Sequence, residues 1–228
     1  MIFNGPNQTE EETRQAFAQT LQEFESSEEG VAMASLVRTH LKGCTVNKVI
    51  AFGLGRIGFL RPGPPQTFYE HAAARVIARA VGEVSSSANV AVAVQDPLYT
   101  DVCKKVLAEF EFDVVEGFGA KGFALVDENT VVLAHHPNFP FRQIIADLAR
   151  PALICMRAQE PTAAAEPRAA APELLLLPDM RADVDSARSR RMLAEEYRAV
   201  ELPVSGQRAF WENTWYIRNN SAIPWRAD

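Results

Sequence analysis

Short apolar runs bounded by turn residues alternate with amphipathic helix patterns over residues 48–157. This alternation predicts an α/β fold, with a Rossmann-like, mostly parallel sheet of about five strands flanked by helices. Two further observations agree. The first apolar run, VIAFGL, leads into a glycine-rich turn at Gly53, Gly55 and Gly58, and the second ends on Asp96-Pro97. Both are punctuation expected where strands of an open α/β sheet deliver the chain to a ligand crevice.

Taken in order, Thr9 to Glu12 forms a Thr-x-x-Glu capping box, in which side-chain oxygens satisfy backbone N–H groups at a helix start. A helix therefore opens there and runs to about Phe24. EEGVAMASLVRTHLKG adds a second helix ending at Gly43. Residues 1–43 read as a helical extension packed on the sheet edge, ahead of the domain at 44–228. KVIAFGL is a buried strand, and a second capping box, Thr67 to Glu70, opens the helix FYEHAAARVIARAV. NVAVAVQDP is the second strand, stopped by Pro97, and TDVCKKVLAEFE is a helix. FDVVEG and NTVVLAHHP give two more strands, FRQIIADLA a helix and ALICMR a fifth strand. Gln159 to Glu173 is rich in Ala and Pro and reads as a linker-like loop. After it come LLLL, the helix DVDSARSRRMLAEEYRAVE halted by Pro203, and an aromatic tail, RAFWENTWYIRNN.

The 228 residues suit one α/β domain with extensions. A formal charge of −6 argues against a surface built broadly for nucleic acid, DNA included, and leaves room for a local basic stripe. Cys44, Cys103 and Cys155 lie far apart, without metal spacing, and suggest free thiols in a reducing compartment. His135 and His136 end the fourth strand, where neighbours point to opposite faces, so no metal site is expected. With a polar N-terminus and no apolar run of about 18 residues, the chain reads as cytoplasmic, with no membrane partner.

The glycine motif has three readings. A dinucleotide cradle needs its third glycine to lead straight into a helix, but FLRPGPPQ intervenes before Thr67, so no nucleotide cofactor is expected. Small residues that merely let the strand turn are the second. The preferred reading is a wall of a pocket at the carboxyl ends of the strands. Glu70, Asp96, Asp101 and Glu116 lie near that rim and suit a guanidinium, which carboxylates grip through paired hydrogen bonds.

The segments FGLGRI, EHAAARVIA, VQDPLYTDVCKKVL and VDENTVVLAHHPNFPFRQIIADLARPALI, within about residues 48–156, resemble the Sensitivity-to-Red-Light-Reduced-like (SRR-like) domain in its fungal form. The resemblance implies a Rossmann-like domain; plant and animal relatives are regulators. Tyr197-x-x-x-Glu201-Leu202-Pro203 resembles the Tyr-x-x-x-Glu-aliphatic-Pro signature of tRNA-dependent cyclodipeptide synthases. Spacing i, i+4 would place Tyr197 and Glu201 on one helix face, and the resemblance implies that they hold an aminoacyl α-amine. Gly53-Leu54-Gly55 departs from the synthases' Gly-aliphatic-Ser, with Gly55 where the nucleophile should stand. Fungal synthases of arginine-containing cyclodipeptides resemble short proteins carrying this SRR-like domain.

The resemblance therefore implies an aminoacyltransferase that joins arginine from Arg-tRNA to a second aminoacyl-tRNA. The expected catalytic residues are Tyr197 and Glu201, and the expected substrate contacts are Gly53, Gly55, Glu70, Asp96, Tyr99, Asp101, His136 and Asn138. Free N–H groups at Gly53 to Gly58 would serve an oxyanion. Arg188, Arg190 and Arg191, on the same helix as Tyr197, would meet the tRNA, and His71, Arg75 and Arg79 form a second stripe. An activated ester needs no ATP or metal. The alternatives are a non-catalytic SRR-like regulator binding a small metabolite in the same crevice, and a nicotinamide or S-adenosylmethionine enzyme.

Overall fold

Strands rich in Val, Ile, Ala and Leu, buried on both faces, build the sheet at the centre of the computed structural model. The structure describes residues 8–58, 66–85, 90–117, 119–135, 137–158, 183–204 and 208–219. In chain order the elements are α1 (Glu10–Ser26), α2 (Glu28–His40), β1 (Lys48–Phe52), α3 (Gln66–Val84), β2 (Ala91–Gln95), α4 (Asp101–Glu109) and β3 (Asp113–Val114). A 3-10 turn (Phe123–Leu125), β4 (Thr130–Ala134), α5 (Phe141–Leu148), β5 (Leu153–Arg157), α6 (Ala187–Glu196), β6 (Tyr197–Val200) and β7 (Asn213–Arg218) follow.

The sheet runs β3-β2-β1-β4-β5-β7-β6. The first five strands are parallel, β7 is antiparallel to β5, and β6 is antiparallel to β7. The α/β class and mostly parallel sheet are as the sequence predicts, but the described residues form seven strands. Alternation sorts the side chains. Val49, Ala51, Val92, Val94, Val131 and Leu133 share a core with α1 to α4. Ile50, Phe52, Val132, Ala134 and Ile154 share the opposite core with α5 and α6.

Three expectations are corrected. The helix expected over 183–201 ends at Glu196, and Tyr197 opens β6. The aromatic tail supplies β7, whose free edge pairs with Tyr197–Val200; the pairing overrides local helix preference. The capping box at Thr67 does not form. The helix starts a residue earlier, at Gln66, and the buried Thr67 hydroxyl has no hydrogen-bond partner. The N-terminal helices lie on α3 rather than on the sheet edge, and Phe17 and Phe24 are fully buried in the same core as β1. The first capping box forms as expected, with Thr9 and Glu12 bonding reciprocally. The loop expected at 159–173 and Leu174–Leu177 lie outside the described residues.

Arg142 of α5 is buried and holds two distant places together. Its guanidinium donates to the carbonyls of Arg157 (2.7 Å) and Ala158 (3.2 Å) after β5, and to Asp185 (3.1 Å) ahead of α6. Its backbone N–H donates to the Asp183 carboxylate at 2.7 Å.

If α1 belongs to the core, Phe17→Ala will lower unfolding free energy by about 3–5 kcal/mol, the cost of emptying a buried aromatic site. Urea denaturation of the intact chain checks this; a change under about 1 kcal/mol would mark α1 as a detachable extension.

Candidate functional site

Helices α3 and α4 cover one face of the sheet and α5 and α6 the other, so the connections diverge at β1 and β4. Outside the carboxyl ends of these strands an open α/β sheet leaves a crevice. The end of β1 turns sharply at Gly53 (φ 70°) and Gly55 (φ 74°). The end of β2 delivers Asp96, the start of α3 delivers Gln66 and Glu70, and the end of β4 delivers His135.

Asp96 closes the glycine turn. One carboxylate oxygen accepts the Gly55 N–H at 2.7 Å and the other the Leu98 N–H at 2.8 Å. Gly53 donates to the Gln95 carbonyl at 3.0 Å. The expected oxyanion donors at Gly53 and Gly55 are therefore already used within the protein. A pyrophosphate here would face the Asp96 carboxylate instead of free N–H groups, so the corner does not suit a dinucleotide. The glycine at position 55 also has a steric reason. A Cβ there would stand 2.8 Å from Thr67 Cγ2 on backbone of positive φ, so the serine of the synthase signature would be strained at this position.

Glu70 is 3 % exposed and accepts the Gln66 side-chain amide at 2.9 Å. Burial, with a contribution from the nearby Asp96 charge, raises its carboxyl to about 8 against the pull of the Gln66 hydrogen bond. Burial also raises Asp96, although its two backbone hydrogen bonds oppose this. No Lys or Arg among the described residues pairs with either carboxylate.

His135 is buried between these groups. Asn213 donates its amide to the Ala134 carbonyl, which leaves its oxygen to accept from His135 Nδ1 at 3.2 Å. His135 Nε2 then accepts the Gln66 amide at 3.0 Å and lies 3.7 Å from Glu70. On the other side His71 Nδ1 donates to the Thr67 carbonyl, and Nε2 accepts the Tyr99 hydroxyl at 2.8 Å. Full burial holds His71 neutral, its pKa lowered to about 4. Burial, with the Asp96 charge, raises Tyr99 well above the usual phenol range, so its hydroxyl stays protonated.

The structure thus gathers Gly53, Gly55, Glu70, Asp96 and Tyr99. Asp101 is exposed on α4, 3.8 Å from Lys104, and Glu116 pairs with the same lysine, so neither joins. Asn138 is exposed, and His136 lies outside the described residues. The histidine in the network is its neighbour His135.

Tyr197 and Glu201 are not brought together. They follow α6, so they share no helix face. Tyr197 is buried with α5 and α6, and its hydroxyl donates to the Pro151 carbonyl at 2.9 Å, at the amino end of β5. That is the opposite end of the sheet from Asp96. Glu201 is exposed and lines a groove between α2 and β6 with Ser35, Thr39 and His40.

Arg188, Arg190 and Arg191 do lie on α6, where Arg188 pairs with Asp147 at 2.8 Å. Of the stripe at 71, 75 and 79, His71 and Arg75 are buried and Arg79 is exposed, and Arg75 and Arg79 pair with Glu111 and Glu25. No three described His, Cys, Asp or Glu residues cluster to hold a metal. No described helix is long and apolar enough to cross a membrane.

The fold defines a three-layer α/β protein in which two carboxylates, Glu70 and Asp96, stand at the carboxyl ends of the strands where the connections reverse. The SRR1 domain family matches residues 18–216, and the chain belongs to that family. No curated protein matches the chain. A solved structure, the precorrin-6y C5,15-methyltransferase from Geobacter metallireducens GS-15, is similar at 11 % identity and a TM-score of 0.37, covering 81 % of this chain and 85 % of that one.

The raised Glu70 carboxyl makes the folded state hold a proton that the unfolded chain, at an ordinary 4.5, releases. Stability therefore falls as pH rises from about 4.5 to about 8. Glu70→Gln will remove this fall. At pH 4 the two proteins will match in urea unfolding, and at pH 8 the variant will be the more stable by over about 1.4 kcal/mol, one pKa unit. Parallel pH profiles would show that Glu70 is not held protonated.

Proposed function

We propose that the protein is a tRNA-dependent cyclodipeptide synthase that joins arginine from Arg-tRNA to a second aminoacyl group. The observation that carries this reading is the buried Glu70 beside the half-buried Asp96, neither with a Lys or Arg partner among the described residues, which suits a cationic aminoacyl substrate. Each Asp96 oxygen accepts one backbone N–H and keeps a second lone pair, enough for two guanidinium N–H groups.

The amine-handling role that the sequence signature implied for Tyr197 and Glu201 passes to Glu70 and His135. An α-amino group titrates near 8, and Glu70 titrates at about 8, so proton transfer between them is nearly balanced. The freed amine attacks the second ester's carbonyl carbon. A C–N bond forms as the nitrogen sheds its second proton to Glu70, the first having passed to solvent; the C–O bond to the tRNA 3′ oxygen breaks and Glu70 hands its proton to that leaving oxygen, with His135 Nε2 3.7 Å from the carboxyl. A second, intramolecular repeat closes the ring and releases the other tRNA. With Gly55 at the serine position, direct attack of one ester on the other accounts for transfer without an acyl-enzyme there. Arg190 and Arg191, exposed or half-exposed on α6, are the proposed phosphate contacts.

Purified protein incubated with Arg-tRNA and a mixture of aminoacyl-tRNAs will yield an arginine-containing cyclodipeptide by mass spectrometry. Glu70→Gln will lower kcat/KM by about 10²- to 10⁴-fold. It will also abolish the rise in rate with pH that levels off above about 8 in the parent. Asp96→Asn will act chiefly on KM for Arg-tRNA. Binding of free arginine with no ester consumed would make the protein the binding-only SRR-like regulator.

A further inference from the structure

The turn between the groove and β7 presents an aromatic ring at the mouth of the crevice. Phe210 (φ 52°) and Glu212 (φ 61°) both hold positive φ, a conformation that non-glycine residues adopt at a cost. The turn is fixed from three sides. Glu29, a buried carboxylate in the first turn of α2, accepts the backbone N–H groups of Arg208 (3.0 Å) and Ala209 (2.8 Å). Phe210 is fully buried, and Asn213 N–H donates back to its carbonyl at 3.0 Å. The result is that Trp211, between the two strained residues, stands 38 % exposed with its ring 5.7 Å from that of His135. β7 starts beside the end of β5, so this ring lies at the carboxyl ends of the strands, on the β4 side of Glu70.

Trp211 sets one part of its indole against His135 and leaves another part exposed, and positive φ on both sides fixes it there. Indole faces bind planar π-systems, and an aminoacyl ester on tRNA carries such a group one ribose away, the terminal adenine. Resting on the aminoacyl-tRNA reading above, we infer that Trp211 is the stacking platform for the terminal base of the tRNA acceptor end, setting the ester's carbonyl over Glu70 and His135. It is a positioning residue. The Asp96 carboxylate disfavours phosphate nearby, so an uncharged stacking contact is the physically suitable grip on the nucleotide nearest the ester.

The test uses the trinucleotide CCA bearing arginine through a non-hydrolysable 3′-amide, and the same molecule lacking its terminal base. The parent will bind the complete probe more tightly than the base-less one. Trp211→Ala will weaken the complete probe by roughly 10- to 100-fold and the base-less probe hardly at all, while Trp211→Phe retains most of the affinity. An unchanged thermal midpoint excludes loss of fold. Equal losses for both probes in Trp211→Ala would overturn the stacking assignment and leave the synthase reading intact. Parent protein that binds neither probe better than arginine amide would overturn both.

Discussion

One buried carboxylate beside a half-buried one, at the point where the sheet's connections reverse, sets the terms for the rest of this molecule. An ionised carboxylate in a low-dielectric interior must find partners or take a proton. Asp96 is met by two backbone N–H groups, which ties the β1 turn to the β2 turn; Glu70 is met by Gln66 and by a raised pKa. The surrounding groups follow from that choice. His71 stays neutral and receives the Tyr99 hydroxyl, and His135 is held between Gln66 and Asn213 with its Nε2 lone pair turned toward Gln66 and Glu70. A cationic ligand would supply what the protein withholds.

The α/β class, the five parallel strands and most helices were legible because their signals are local: period, caps and turn residues within a few positions. The sheet's last two strands were not. Tyr197–Val200 is a strand only because β7 offers it an edge, a partner that comes later in the chain. The same non-local pairing moved Tyr197 to the far end of the sheet, so a motif with helical spacing did not become a site. Thr67 shows the converse case, a local capping pattern displaced by a helix that starts one residue earlier.

Of the candidate site, Gly53, Gly55, Glu70, Asp96 and Tyr99 were readable from their places at strand ends and helix starts. His135 is placed by the way the chain leaves β4, and its partner Asn213 lies 78 residues from it in sequence. Trp211 was visible only as part of an aromatic tail, because its exposure depends on Glu29, a carboxylate from α2 holding a turn near the other end of the chain. The N-terminal helices, which looked like an appendage, are therefore part of the scaffold that shapes the crevice mouth.

Arg142 has a consequence for how the second face of the sheet can fail. The end of β5 and the approach to α6 meet at one buried guanidinium from α5, so both depend on a single side chain. A guanidinium cannot shed its charge, and losing it would strip the Arg157 and Ala158 carbonyls and the Asp185 carboxylate of one donor at once. Arg142 is thus a rivet whose loss loosens β5 and α6 together rather than either alone.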